Sequence, residues 1–215
     1  MVELRAEKVS KRIRKKIILD NINLEFKGGN VYGFIGRNGS GKTMLFRALS
    51  GLMKIDEGKI YYNGKDAFAK SSVLPDMGMI IENTGMYLEY TGLKNLEMLA
   101  RINKKIGQKE IIESIERVGL DPRDRRTVRK YSLGMKQRLA IAQAVMEKPK
   151  IIMLDEPTNG LDQDGVELIR NIIQEERQRG AIILLASHNS DDIRILSDMI
   201  YRIDFGRVKL EVENE

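Results

Sequence analysis

The octapeptide GRNGSGKT, residues 36–43, constrains this chain more than any other stretch. It matches the pattern G-x-x-x-x-G-K-[ST]. A short apolar run, VYGFI, precedes it, and TMLFRALSGL follows with helical spacing up to Gly51. Glycines at these positions let the backbone wrap closely around phosphate oxygens with its N–H groups pointing inward. The start of the following helix adds a partial positive charge. The pattern therefore predicts a strand, a loop and a helix in which Gly36, Arg37, Asn38, Gly39, Ser40, Gly41, Lys42, Thr43 and Met44 surround a polyphosphate. Lys42 is expected to reach the β- and γ-phosphates, and Thr43 to hold Mg²⁺ through its hydroxyl.

A second motif gives the loop a chemical partner. In IIMLDEP, residues 151–157, an apolar run ends in two acids. A buried parallel strand would deliver both to the carboxyl edge of a sheet, where ligands of such folds bind. Asp155 then suits a direct or second-sphere role at Mg²⁺, and Glu156 suits polarisation of an attacking water. Alone, an Asp-Glu after an apolar strand is as easily a solvated strand end.

The rest of the chain reads as alternating elements. KIILDNINLEF mixes alternation with β-branched residues, GKIYYNGKD carries an Asn-Gly hairpin signal, and MGMII is a short strand. From Thr91 to Lys148 the period becomes helical: Thr91 can cap GLKNLEMLARI, KEIIESIERVGL has apolar residues at helical spacing, and Ser132 can cap LGMKQRLAIAQAVMEK. A β-α-β rhythm then runs through KIIMLDE, QDGVELIRNIIQEERQRG, AIILLAS and DDIRILSD to a terminal hairpin, MIYRIDFGRVKLEV. The fold class this implies is α/β, a mostly parallel sheet covered on both faces.

Composition narrows the functional classes. The chain has 215 residues, no Cys and one His, which excludes disulfides and thiolate metal sites and argues against a protein zinc site. No apolar run approaches the ~20 residues of a membrane-spanning helix, and MVELRAEKVS lacks the apolar core of a signal peptide. Lys and Arg number 37 against 31 Asp and Glu, a formal charge of +6. Two clusters, KRIRKK at 11–16 and RDRRTVRK at 123–130, carry much of the excess. They are solvated faces or the footprint of a polyphosphate, a nucleic acid or an anionic membrane. Neither interleaves with aromatic residues, which argues against single-strand nucleic-acid binding.

With the stretch YSLGMKQRLAIAQAVMEKPKIIMLDEPTNGLD the chain resembles the nucleotide-binding domain of ATP-binding cassette (ABC) proteins, in motif order as well as content. The resemblance implies a single ABC ATPase domain over residues 1–215: a P-loop core with an N-terminal antiparallel β subdomain at about 1–90 and 149–215, and an inserted helical signature subdomain at about 91–148. The family's signature falls on Tyr131, Ser132, Leu133, Gly134 and Met135, and its D-loop on Asn159, Gly160, Leu161 and Asp162. The lone histidine, His188, follows the AIILLAS strand. By itself such a histidine is more often structural; the resemblance makes it the switch residue that contacts the γ-phosphate. It further implies a head-to-tail pair of domains sandwiching ATP, with Ser132 and the Gly134 N–H touching the nucleotide held by the partner copy.

Three positions depart from the family's pattern. Ile13 stands where an aromatic usually stacks on adenine, leaving Arg12 or Arg14 as alternative platforms. Glu82 replaces the Gln-loop glutamine, a carboxylate that can meet Mg²⁺ but cannot donate a hydrogen bond when ionised. The signature reads YSLGM, with Leu133 between the two phosphate-touching positions. Glu82 and YSLGM together resemble a subgroup of exporter ATPases that move peptides, antibiotics or drugs. The expected partners are a second ATPase domain and separate transmembrane permease subunits, docked near residues 82–100 where Met86, Tyr87, Leu88 and Tyr90 lie. That implies a cytoplasmic protein peripheral to the cell membrane, with no direct nucleic-acid contact. The alternative is a non-transport relative acting on nucleic acid or ribosomes. A small-molecule kinase would explain the phosphate loop but not YSLGMKQRL or the placement of His188.

Overall fold

The computed structural model describes residues 2–69, 71, 73–81, 85–188 and 190–213. Two sheets organise it. The first is antiparallel, ordered β2–β1–β4–β5, from β1 (Glu3–Ile13), β2 (Lys16–Lys27), β4 (Glu57–Tyr62) and β5 (Lys65–Asp66). The second has six strands in the order β10–β9–β3–β8–β7–β6. Its members are β3 (Asn30–Ile35), β6 (Met77–Ile80), β7 (Ile151–Asp155), β8 (Ile182–Ala186), β9 (Met199–Asp204) and β10 (Arg207–Glu213). Neighbours are parallel throughout, except that β10 returns antiparallel along β9.

The parallel strands are apolar on both faces, and alternation divides their side chains between two cores. In β7, Ile152 and Leu154 point into one core while Ile151 and Met153 point into the other. In β8, Ile183 and Leu185 oppose Ile182, Leu184 and Ala186 in the same way. The first core is shared with α2 (Gly92–Asn103), α3 (Gln108–Arg117), α4 (Leu133–Val145), α5 (Gln163–Gln178) and α6 (Ser190–Leu196). The second is shared with α1 (Lys42–Ser50) and the antiparallel sheet. Phe34 anchors it, meeting Phe46 edge-on at 5.6 Å and stacking on Tyr201 at 5.5 Å between ring centroids. Burying a side chain of this size contributes on the order of 1.5–3 kcal/mol.

The helix starts follow from short polar residues that accept first-turn amides. Thr91 Oγ1 accepts from Lys94 N at 3.2 Å, Ser132 Oγ from Met135 N at 3.1 Å and Asp162 Oδ1 from Gly165 N at 3.0 Å. The helix over LGMKQRLAIAQAVMEK is shorter than its periodicity suggests, ending at Val145. Strand β1 is the element the sequence pattern did not single out. It buries Leu4, Ala6 and Val9 between two partners, and its register with β2 shifts at Ala6/Val9, Val9/Lys11 and Lys11/Arg12. Such irregularities break the period-two signal on which strand reading depends.

Helices α2, α3 and α4 pack on one another, and α4 also rests on β6 and α5. An ion cluster ties α3 to α5: Arg117 reaches Glu175 and the 3%-exposed Glu176, the two acids lying beside one another on α5.

Candidate functional site

Strand β3 stops at Ile35 and α1 begins at Lys42, so residues 36–41 form the loop at the carboxyl edge of the sheet. Gly41 takes a φ of 116°, a left-handed conformation that a residue with a Cβ avoids, and this turns the chain into the helix. Gly41 offers no side-chain cap, so the first amides of α1 remain available for an anion. Lys42 lies along the loop, 7% exposed, its Nζ 2.7 Å from the Gly36 carbonyl and 3.4 Å from that of Arg37. The buried Ser40 Oγ has no hydrogen-bond partner among the described residues. An ammonium, uncapped amides and an unpaired hydroxyl converging on one loop are the donor set a polyphosphate requires.

The loop opens onto a cavity of about 730 Å³. Asn38, Gly39, Ser40, Gly41, Lys42, Thr43 and Met44 line it, with Asp155 and Glu156 across from them. Gly36 and Arg37 line an adjoining cavity of about 490 Å³ that shares Asn38, Gly39 and Ser40. The two motifs meet directly where Thr43 Oγ1 donates to Asp155 Oδ2 at 2.7 Å. A hydroxyl and a carboxylate side by side suit Mg²⁺, which takes hard oxygen ligands and completes its shell with water and substrate phosphates.

Glu156 follows the last residue of β7 with φ 54°, strained for a non-glycine residue. Its amide donates to the Ala186 carbonyl at 2.8 Å, locking it to the end of β8. Three donors from the segment after β8 grip its carboxylate. The His188 amide is 2.8 Å from Oε1, His188 Nδ1 is 2.7 Å from Oε2, and Ser187 Oγ is 3.1 Å from Oε2. Because β7 and β8 are parallel and in register, with Asp155 opposite Ala186, the residues after each strand emerge side by side. His188 itself is exposed and belongs to the carboxylate's environment.

The signature residues lie elsewhere. Ser132 and Leu133 are exposed at the start of α4, and neither Ser132 nor Gly134 is among the residues lining the cavity. Leu133 leans over Gly160, where a Cβ would fall 2.4 Å from Leu133 Cδ2, so the departure YSLGM is absorbed by packing against a residue that has no side chain. Gln137, one turn further along α4, donates its Nε2 to the Glu156 carbonyl at 3.1 Å and the Pro157 carbonyl at 3.0 Å. Thr158 Oγ1 donates to Asp192 Oδ2 at 2.7 Å, and Arg170 Nε lies 3.0 Å from the other oxygen of this 2%-exposed carboxylate. Helix α4, the segment after β7 and helix α6 are thereby cross-linked around Glu156.

Ile13 stands apart from the lining of this cavity. It ends β1 opposite Lys16, 44% exposed, and is not among the residues lining the cavity. The two-residue turn Arg14–Lys15 carries the chain past Ile13 first, and the wall of the cavity is made by Lys16, Ile17 and Ile18 at the start of β2, with Phe205 from the β9–β10 turn. Arg12 is held by Asp56, which accepts from its amide at 2.7 Å. Glu82 lies outside the described residues. Of the two basic clusters, the first forms the β1–β2 turn at the cavity rim. In the second, three of the five basic residues pair with acids of this chain: Arg123 with Asp121, Arg126 with Asp124 and Arg129 with Glu89.

Ser187, Gln137, Asp192 and Phe205 were missed by sequence reasoning. Only Ser187, next to the lone histidine, carried a signal; the others acquire neighbours through folding.

A glycine loop between strand and helix, with paired acids at the end of another parallel strand of the same sheet, one strand removed, defines a phosphate-loop nucleoside triphosphatase. The chain belongs to the ABC transporter family, whose description matches residues 19–159, and within it to the ATP-binding subunits, which hydrolyse ATP. It is 45% identical over 201 residues to YybJ of Bacillus subtilis (strain 168), an uncharacterized ABC transporter ATP-binding protein, covering 94% of this chain and 92% of the relative. It is 35% identical over 210 residues to the lantibiotic transport ATP-binding protein SrtF of Streptococcus pyogenes, covering 98% and 90%. Among solved structures it superposes on cbiO1 of Clostridium perfringens, part of the ABC transporter complex cbiONQ, with a TM-score of 0.82 at 27% identity, over 96% of this chain and 86% of the other.

Proposed function

We propose that this chain powers export of a peptide antibiotic through a separate transmembrane permease, working as a head-to-tail pair with ATP between two copies. The observation that carries the paired arrangement is the separation of Ser132 and Gly134 from the cavity lined by Lys42, Thr43, Asp155 and Glu156. A signature serine with its α4 helix start can serve a γ-phosphate only from across an interface. Residues 91–148 act as the signature-bearing body, and residues 1–90 with 149–215 as the catalytic one. Glu156 orients the attacking water, while Lys42 and the loop amides neutralise charge developing on the phosphates. Thr43 and Asp155 hold Mg²⁺, which when bound neutralises phosphate charge.

The peptide-antibiotic reading rests on the lantibiotic transport relative. No described helix is long and apolar enough to cross a membrane. Tyr87, Leu88 and Tyr90, at 56%, 44% and 43% exposure, offer that permease an apolar patch. Pairing of Arg123, Arg126 and Arg129 within the chain disfavours a nucleic-acid partner at that cluster.

The test is the molar mass of Glu156→Gln in solution with and without Mg-ATP. Stalled hydrolysis should double the mass from 24.6 kDa. Adding Ser132→Arg should return it to the single-chain value. A persistent monomer with ATP bound, in the presence of the permease, would overturn the paired arrangement.

A further inference from the structure

The β9–β10 hairpin closes through a two-residue turn, Phe205-Gly206, between the paired residues Asp204 and Arg207. Both turn residues have positive φ, 45° and 76°. Such turns favour Asn or Asp followed by Gly, because a bulky side chain in the left-handed region is strained. Phe205 is moreover 88% exposed, and among the described residues no core cluster or ring pair includes it. Neither local conformation nor burial accounts for a phenylalanine here.

Its position does. The turn is clamped against the phosphate loop and β2. The Gly206 amide donates to the Ser40 carbonyl at 3.2 Å, the Asp20 amide donates to the Gly206 carbonyl at 2.9 Å, and Arg207 Nε meets Asp20 Oδ2 at 2.8 Å. A Cβ on Gly206 would fall 2.4 Å from the Ile18 carbonyl, so only glycine permits this approach. Phe205 therefore stands on the rim of the cavity that Lys42 and Thr43 line at its phosphate end and that Ile17 and Ile18 also line.

We infer that Phe205 is the nucleobase platform of this site: the ring stacks on the base of the nucleotide whose phosphates occupy residues 36–43, taking the part that Ile13 cannot. The inference rests on the ATP-binding reading of the cavity. The Gly206–Ser40 hydrogen bond sets the platform at a constant distance from the phosphate loop. Stacking contacts the π-face of the base and leaves its edge unread.

The experiment compares wild type, Phe205→Asn and Phe205→Trp by calorimetric titration with Mg-ATP and, separately, Mg-tripolyphosphate, which has no base. Asparagine tolerates the left-handed turn, so the hairpin is preserved. Phe205→Asn should weaken ATP about tenfold, the scale of a lost base–aromatic stack. It should leave tripolyphosphate within about twofold, and Phe205→Trp should restore ATP to the wild-type value. Unchanged ATP affinity in Phe205→Asn, an equal loss for both ligands, or failure of tryptophan to restore binding would each overturn the platform. Wild type that binds neither ligand would instead sink the ATP-binding reading itself.

Discussion

Glu156 and His188 are joined by two hydrogen bonds, from the histidine amide to Oε1 and from ring Nδ1 to Oε2, at 2.8 and 2.7 Å. A carboxylate can only accept, so the hydrogen lies on Nδ1 and the remaining ring nitrogen, Nε2, is left for another partner. His188→Ala removes one of three donors orienting Glu156, which in the proposed mechanism positions water. Turnover of ATP should fall by about a hundredfold or more, with ATP affinity changed only a few-fold. Steady-state rates beside equilibrium binding of ATP to the same variant check this; a parallel fall in both would mean the imidazole supports binding instead.

Gln137 connects the signature helix to the backbone that carries Glu156. Replacing it with Ala leaves two partly buried carbonyls without this donor, at a cost of about 1 kcal/mol for each lost bond. The melting temperature should drop by roughly 2–8 °C in a chain of this size. ATP binding to the single chain should persist while turnover declines, since the phosphate loop is untouched. Melting and nucleotide titration on one preparation separate the two effects.

Asp192 is a buried charge satisfied by Thr158 and Arg170. Asp192→Ala strips the guanidinium of its partner in a site largely closed to water and should destabilise the fold by about 2–4 kcal/mol. Thr158→Val, which removes only the neutral bond, should cost about 1 kcal/mol. Urea denaturation of both variants gives the comparison; equal losses would show that the ion pair adds nothing beyond the hydroxyl contact.

Tyr32 is buried at 1% exposure, its hydroxyl accepting from the Lys27 amide at 2.6 Å. Burial pushes the phenol up to about 12, with the Lys27 backbone contact acting in the opposite sense. A raised folded value means that the native state holds its proton more tightly than the unfolded chain. This contribution is complete below pH 10 and is lost as pH rises from 10 to about 12, on the order of 2 kcal/mol in all. Tyr32→Phe should be less stable than wild type at pH 8 by about 1 kcal/mol and should lack this alkaline decline. Denaturant midpoints across the two pH values measure it.

The local features were written in the chain. Residues 36–43 declared a phosphate loop, Thr91 and Ser132 declared helix starts, and the Asn-Gly pair of GKIYYNGKD declared a hairpin, because each depends on backbone angles and periodicity within a few residues. Strand β1 escaped notice because only Leu4, Ala6 and Val9 mark its buried face and its register slips three times against β2. The neighbours of Glu156 were equally hidden. Ser187 and His188 reach it across 31 and 32 residues because β7 and β8 are adjacent, parallel and in register. Gln137 reaches the same backbone because α4 packs against α5 and β6. Aligning the chain's start with the family puts Ile13 at the base-stacking position, whereas the aromatic at the cavity rim comes from the other end of the chain. It stands at Phe205 because sheet order brings β9 against β3, and the backbone bonds of Gly206 then draw the following turn onto the phosphate loop. Spacing along the chain sets a residue's own conformation, whereas strand order and register, which are long-range pairings, decide what that residue touches.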